Sequence, residues 1–130
     1  EIRKISRRTD DRLSEDLLQF GTIKIVGAYR FLFGVEPSDS YMEAVPLPSN
    51  HPVYVRPRRD GDRILINGHH KKVSRLLINQ KIPLHQRNNL VVLEQDKQIL
   101  AIPEIAISDL SKELKNDIIR DTIYIQKIDR

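Results

Sequence analysis

VRPRRDGDRILINGHHKKVSRLLINQK, residues 55–81, sets the pattern from which the rest of the chain is read. From Val53 to Arg56 apolar and polar side chains alternate, as in a strand with one buried face. Asp60-Gly61 is a turn signal and Ile64-Leu65-Ile66 a short strand. Asn67-Gly68 is a second turn signal, because Asn and Gly accept the positive φ that tight hairpins need. Val73, Leu76 and Leu77 then fall at i, i+3 and i+4. That spacing predicts a helix over residues 71–78 with Lys71, Lys72 and Arg75 on its outer face.

The same stretch concentrates the charge. Residues 51–81 hold eight basic side chains (Arg56, Arg58, Arg59, Arg63, Lys71, Lys72, Arg75, Lys81) against Asp60 and Asp62, a local +6. The remaining 14 basic and 16 acidic residues give −2, so the formal net charge of +4 comes from this segment alone. Excess of one sign spread over a strand, a turn and a helix points to a polyanionic partner. Arginine outnumbers lysine, and its planar fork suits phosphate. With aromatic residues at only 5%, stacking of single-stranded bases is a poor fit. Duplex RNA met through its backbone and minor groove fits better.

Outward from this centre the chain reads as β-rich. Residues 1–20 read as a charged connector and a short helix, with Asp10 and Asp11 near its start, Leu13, Leu17 and Leu18 at near-helical spacing, and Gly21 as its stop. Residues 21–130 read as the folded domain. Ile23-Lys24-Ile25 and Arg30–Phe33 are strands about Gly27-Ala28, and residues 37–52, with four of the seven prolines, are a loop or irregular edge. Pro83 opens a turn. Residues 90–93 and 98–102 form a hairpin around Gln95-Asp96-Lys97, residues 108–120 read as helix or ordered loop, and residues 121–128 close the chain as a strand with Ile123 and Ile125 inward. The fold class expected is α+β and β-rich, with few helices.

Composition narrows the chemistry. There is no cysteine, which removes disulfides and thiolate ligands and suits a reducing cytoplasm. No apolar run approaches the roughly 20 residues that cross a bilayer. The opening Glu-Ile-Arg-Lys lacks a Met and reads as a piece of a longer protein. His51, His69, His70 and His85 lie in one third of the sequence, but no HExxH or Asp-rich spacing accompanies them, and solvated or phosphate-facing histidines are expected instead of a metal site. No G-x-S-x-G motif or phosphate-binding glycine loop is present. Asp60 and Asp62 read as turn caps with an ion pair to Arg58 or Arg63. No catalytic residue is assigned. The residues leave a nucleic-acid-binding domain, a general duplex-RNA binder, or a protein-interaction or dimerisation module using residues 29–35 and the proline-rich loop.

The order of signals has a further consequence. Arg56-Pro57-Arg58-Arg59-Asp60-Gly61-Asp62-Arg63-Ile64, then Gly68, Lys71-Lys72-Val73-Ser74-Arg75-Leu76-Leu77-Ile78, Lys81-Ile82-Pro83 and Arg87, resembles the C-terminal domain of the bacterial tRNA(Ile)-lysidine synthetases. The likeness covers about residues 53–108, including the hairpin at 90–102 and Ile102-Pro103-Glu104; residues 1–50 match only loosely. Asp60 stands where the family often has Pro, Asn88 where it has Asp, and Glu104 where Gly is common.

The resemblance implies a β-sandwich with a short helix between or against its layers, similar to a domain of the phenylalanyl-tRNA synthetase β chain. It implies a parent PP-loop ATPase that uses ATP and Mg²⁺ in an N-terminal domain to join lysine to cytidine 34 of an isoleucine tRNA with a CAU anticodon. The Ser-Gly-Gly-x-Asp-Ser loop of that domain is absent from this chain, so the ligase reaction is not expected of it, and no cofactor either. The partners implied are the acceptor-stem region of the tRNA and the parent's own catalytic domain, with no membrane. Arg58, Arg59, Arg63, Lys71, Lys72, Arg75 and Lys81 are the expected phosphate and ribose contacts. Arg87 either joins them or holds the fold through a carboxylate.

Overall fold

Short runs of Ile, Leu and Val between closely spaced turns form strands because branched side chains pack well on a pleated surface. In the computed structural model, which describes residues 15–37, 43–87, 89–114 and 122–128, the strands are β1 (Asp16–Leu18), β2 (Thr22–Val26), β3 (Tyr29–Phe33), β4 (Glu43–Pro46), β5 (Val53–Pro57), β6 (Arg63–Ile66), β7 (His69–Lys72), β8 (Val91–Gln95), β9 (Gln98–Ile102), β10 (Ala106–Ile107) and β11 (Thr122–Lys127). Three short helices are α1 (Val73–Asn79), α2 (Leu84–Arg87) and α3 (Asp109–Lys112). The larger sheet runs β1-β5-β8-β9-β6-β7 with β10 beside β9, and the smaller runs β2-β3-β11-β4. All pairs are antiparallel except β6 with β9.

The two sheets enclose the main core. Val53, Val55, Leu93 and Leu100 of the larger sheet meet Phe31, Val45, Ile123 and Ile125 of the smaller, all buried. The opposite face of the larger sheet is covered by α1, whose Val73 and Leu77 pack with Ile64, Val92, Ile99 and Ile102. One strand must feed both cores, and a bulge in β9 lets it. Leu93 pairs with Ala101 and Glu94 with Ile99, leaving Leu100 unopposed. Leu100 and Ala101 therefore both enter the inter-sheet core, while Ile99 and Ile102 enter the helix core. Helix α3 touches β4 of the smaller sheet and β6 and β9 of the larger. The β-rich α+β fold is thus as expected, with one helix bridging the layers and another against the outer face.

Three expectations change and one, the loop or irregular edge over residues 37–52, is refined. Asp16–Leu18 is not helical: it pairs with β5 in the register Leu18↔Val53 and buries Leu18. Leucine spacing alone fits either structure, and a free strand edge on β5 decides it; the rest of the expected helix lies outside the described residues. The proline-rich segment contains β4, which pairs with β11 and buries Val45. Pro46 is tolerated because β4 is an edge strand. Lys71 and Lys72 are not on the helix. They end strand β7, and α1 begins at Val73, whose N–H donates to the Asp62 carbonyl at 2.9 Å. The Asn67-Gly68 hairpin turn (φ 52° and 81°) carries the chain back along β6, and this pairing outlasts the local helical signal. Finally, Asp62 pairs with Arg56, not with Arg58 or Arg63.

Glu104 adopts the left-handed conformation (φ 70°) that glycine accepts most readily. Its carboxylate compensates locally, accepting from Lys127 Nζ at 3.0 Å and from the Tyr29 hydroxyl at 3.2 Å. Burial, with the Glu104 and Glu43 carboxylates nearby, pushes the Tyr29 phenol up to about 12. A phenol raised in the folded state favours folding below its unfolded value of about 10, and that contribution is lost as pH climbs through about 12. Urea unfolding between about pH 9 and pH 12 is therefore expected to show alkaline destabilisation that Tyr29→Phe reduces. Identical pH profiles for the two proteins would remove Tyr29 from the linkage.

Candidate nucleic-acid interface

The basic motif divides into a structural half and a free half. Arg56 is only 4% exposed. Its guanidinium donates to both carboxylate oxygens of Asp62, at 3.1 and 3.0 Å, to Glu94 Oε1 at 3.0 Å and to the Pro57 carbonyl at 2.9 Å. Burial pulls its pKa down, but the bonds to Asp62 and Glu94 outweigh that and hold it above the ordinary arginine value. Asp62 also accepts the Arg59 N–H at 2.8 Å. This arginine–carboxylate knot closes the 57–62 turn from inside, and Arg56 is neutralised as far as a ligand is concerned.

Arg63, Lys71, Lys72 and Arg75 are the opposite case. All four are exposed, and none forms an ion pair with another described residue. With His70, Leu76 and Asn79 they line one open groove of about 380 Å³. Strand pairing builds it. Arg63 lies directly opposite Lys72, His70 is opposite Leu65, and Lys71 is opposite Ile64. Helix α1 leaves β7 at once and brings Arg75 alongside. Like charges set opposite each other on a ladder disfavour the pairing. An anion lying between them offsets that repulsion, so the arrangement suits a chain of phosphates.

The other expected contacts lie elsewhere. Arg58 is half-buried, with its N–H on the Leu90 carbonyl at 2.9 Å and Nε on the Arg87 carbonyl at 3.4 Å. Arg87 donates in turn to the Ile82 carbonyl at 2.7 Å, so it ties the fold through a carbonyl, not a carboxylate. Arg59 forms an exposed pair with Glu15. Lys81 is exposed at the end of α1 in a left-handed conformation (φ 58°); its N–H reaches the Ile78 carbonyl and that of Ile82 reaches the Leu77 carbonyl. These are the two bonds of a Schellman cap, usually built on Gly.

Two further residues shape the groove. His70, one of the histidines expected to be solvated or phosphate-facing, is exposed and lines it. Asp109 holds the hairpin that carries the groove: its carboxylate accepts the Asn67 N–H at 3.0 Å and the Gly68 N–H at 2.8 Å. Ser108-Asp109 ahead of a short helix was a legible cap signal, but its partner lies 41 residues away. Among the described residues, no three His, Asp or Glu are grouped to hold a metal ion, and His51 bonds Asp96 at 2.6 Å. No helix of the described residues is long and apolar enough to cross a membrane.

Known proteins share this fold. A solved structure described as "Crystal structure of TILS C-terminal domain" superposes with a TM-score of 0.68 at 20% identity, covering 89% of this chain and 98% of that one. The tRNA(Ile)-lysidine synthase of Streptococcus sanguinis (strain SK36) is 49% identical over 129 residues, 99% of this chain and 30% of the relative. That of Streptococcus gordonii is 40% identical over 130 residues, 100% of this chain and 31% of the relative. The chain thus spans about 30% of the length of these curated relatives. The model of the TilS substrate C-terminal domain matches residues 53–119, which include β5 through α3 and hence the whole groove. With its fold and more than half its length matched, the chain belongs to the TilS substrate C-terminal domain family.

Proposed function

We propose that this chain is the tRNA-binding part of a tRNA(Ile)-lysidine synthase, gripping the duplex near the acceptor end. The carrying observation is the groove: four cations without ion-pair partners among the described residues, set on one hairpin and the helix that follows it. Arg63, Lys71, Lys72 and Arg75 contact phosphates, which fixes orientation and carries little base information. Exposed Lys81, two residues beyond Asn79 of the groove, extends the charge, and Arg59 joins when it leaves Glu15. Arg58 and Arg87 reach RNA only with the parts of their guanidinium groups that do not tie the fold. Specificity on this reading arises from distance. A domain holding the tRNA far from its anticodon sets where cytidine 34 lies relative to a catalytic domain, and ATP and Mg²⁺ belong to that domain.

The family membership and the names of the curated relatives support the tRNA as partner; the unpaired cations support the mode of contact. The test is binding of this chain to isoleucine tRNA with a CAU anticodon, competed by initiator methionine tRNA across a salt series. Affinity that falls steeply with salt is expected, because displaced counterions accompany phosphate contacts. Absence of binding at low salt would overturn the proposal in favour of a protein-interaction module.

A further inference from the structure

The groove is built on an edge hairpin of the larger sheet. β7 is an edge strand, paired to β6 alone, and all four of its residues are exposed. None of its own side chains enters the core, and the Arg63–Lys72 opposition works against its pairing. Beyond its ladder to β6 it is held at its two ends, at one by buried Val73, whose N–H bonds the Asp62 carbonyl, and at the other by its turn. The Asn67 and Gly68 N–H groups donate to the two oxygens of the Asp109 carboxylate, at 3.0 and 2.8 Å. Asp109 is itself well fixed. It is 9% exposed and follows Ser108, whose N–H bonds the Leu100 carbonyl at 2.8 Å and whose hydroxyl caps Leu110 at 3.1 Å.

A route therefore runs from the bulged strand β9, through α3, to the tip of the cationic hairpin. We infer that Asp109 is a positioning residue: it holds the β6–β7 hairpin and so sets the spacing of the cations that receive the RNA backbone. This rests on the reading of the groove as an RNA surface. Two backbone N–H groups donating hydrogen bonds to one ionised carboxylate make a charge-assisted, two-point clamp. The Gly68 and Asn67 N–H groups hold the Asp109 carboxyl below the usual aspartate range, so the clamp is ionised at neutral pH.

The sign of the effect separates positioning from simple charge. Lys71 also feels the Asp109 charge, and a fixed negative charge near a polyanion site weakens binding through space. Removing it would tighten binding if charge were its whole contribution. Removing the clamp loosens the cations and weakens binding. The experiment is Asp109→Asn in this chain, read by affinity for isoleucine tRNA and by amide hydrogen exchange. Expected are a roughly tenfold loss of affinity, the scale of a lost charged hydrogen bond, and faster exchange confined to Asn67, Gly68 and β7, with β8 and β9 still protected. Tighter binding would overturn the inference, as would exchange accelerated equally in every strand, the sign of a general stability role. Should the parent chain bind no tRNA, the RNA reading fails by itself, and unchanged exchange at Asn67 and Gly68 would still overturn the clamp.

Discussion

Arg56→Ala is expected to destabilise the chain by about 3–5 kcal/mol, the cost of stripping one partner from a buried ion pair. Arg56 and Asp62 are 4% and 11% exposed in their side chains, and Glu94 is 20% exposed. Without the guanidinium, two poorly hydrated carboxylates face each other and the 57–62 turn loses its internal support. Arg59→Ala, three residues away in the same motif, removes an exposed pair with Glu15 and is expected to cost under about 1 kcal/mol. Arg56→Lys falls between, since an ammonium cannot match the bidentate contact with Asp62. Urea unfolding of the three variants tests the division. Equal losses for Arg56→Ala and Arg59→Ala would mean that the motif's first arginine is not the anchor described.

Neutralising Lys71, Lys72 and Arg75 together has the reverse profile. Affinity for tRNA is expected to fall roughly 10- to 100-fold at low salt, and the plot of log affinity against log salt to become shallower by about 2–3, near one unit per lost phosphate contact. Stability is expected to stay within about 0.5 kcal/mol of the parent, because none of the three is ion-paired to another described residue. Relief of the Arg63–Lys72 opposition acts slightly in its favour. Filter binding over a salt series with gln-substituted protein makes the measurement. An unchanged slope would show that these side chains meet no phosphate, whatever the affinity.

These contrasting outcomes mark how far residue patterns reach. Alternation in Val53–Pro57, the Asn67-Gly68 turn, the hairpin of β8 and β9 and the closing strand β11 were all legible, since each depends on neighbours within a few residues. Three segments, two misread and one seen only as a loop or irregular edge, depend on distant partners. Asp16–Leu18 becomes a strand because β5 offers an edge 35 residues later (Leu18 to Val53 in sequence). β4 forms because β11 returns to pair with it. Lys71 and Lys72 stay extended because β6 holds them, although the helix that begins at Val73 is clear from its apolar spacing.

The candidate site followed the same rule. Charge concentrated between residues 51 and 81 and the order of the motifs were properties of the sequence by itself. Which charges are available was not. Arg56 and Arg63 look alike in the sequence, seven residues apart. One is enclosed by Asp62 and Glu94 on the sheet face; the other stands exposed opposite Lys72. Local composition determines how much charge a segment carries and what periodicity it folds with. Only the tertiary structure, by bringing Glu94 to Arg56 and Asp109 to Asn67 and Gly68, decided which cations hold the protein together and which are left for a ligand. The reason is that a charge is silenced or freed by partners in space, and those partners are chosen by strand pairing, not by neighbours along the chain.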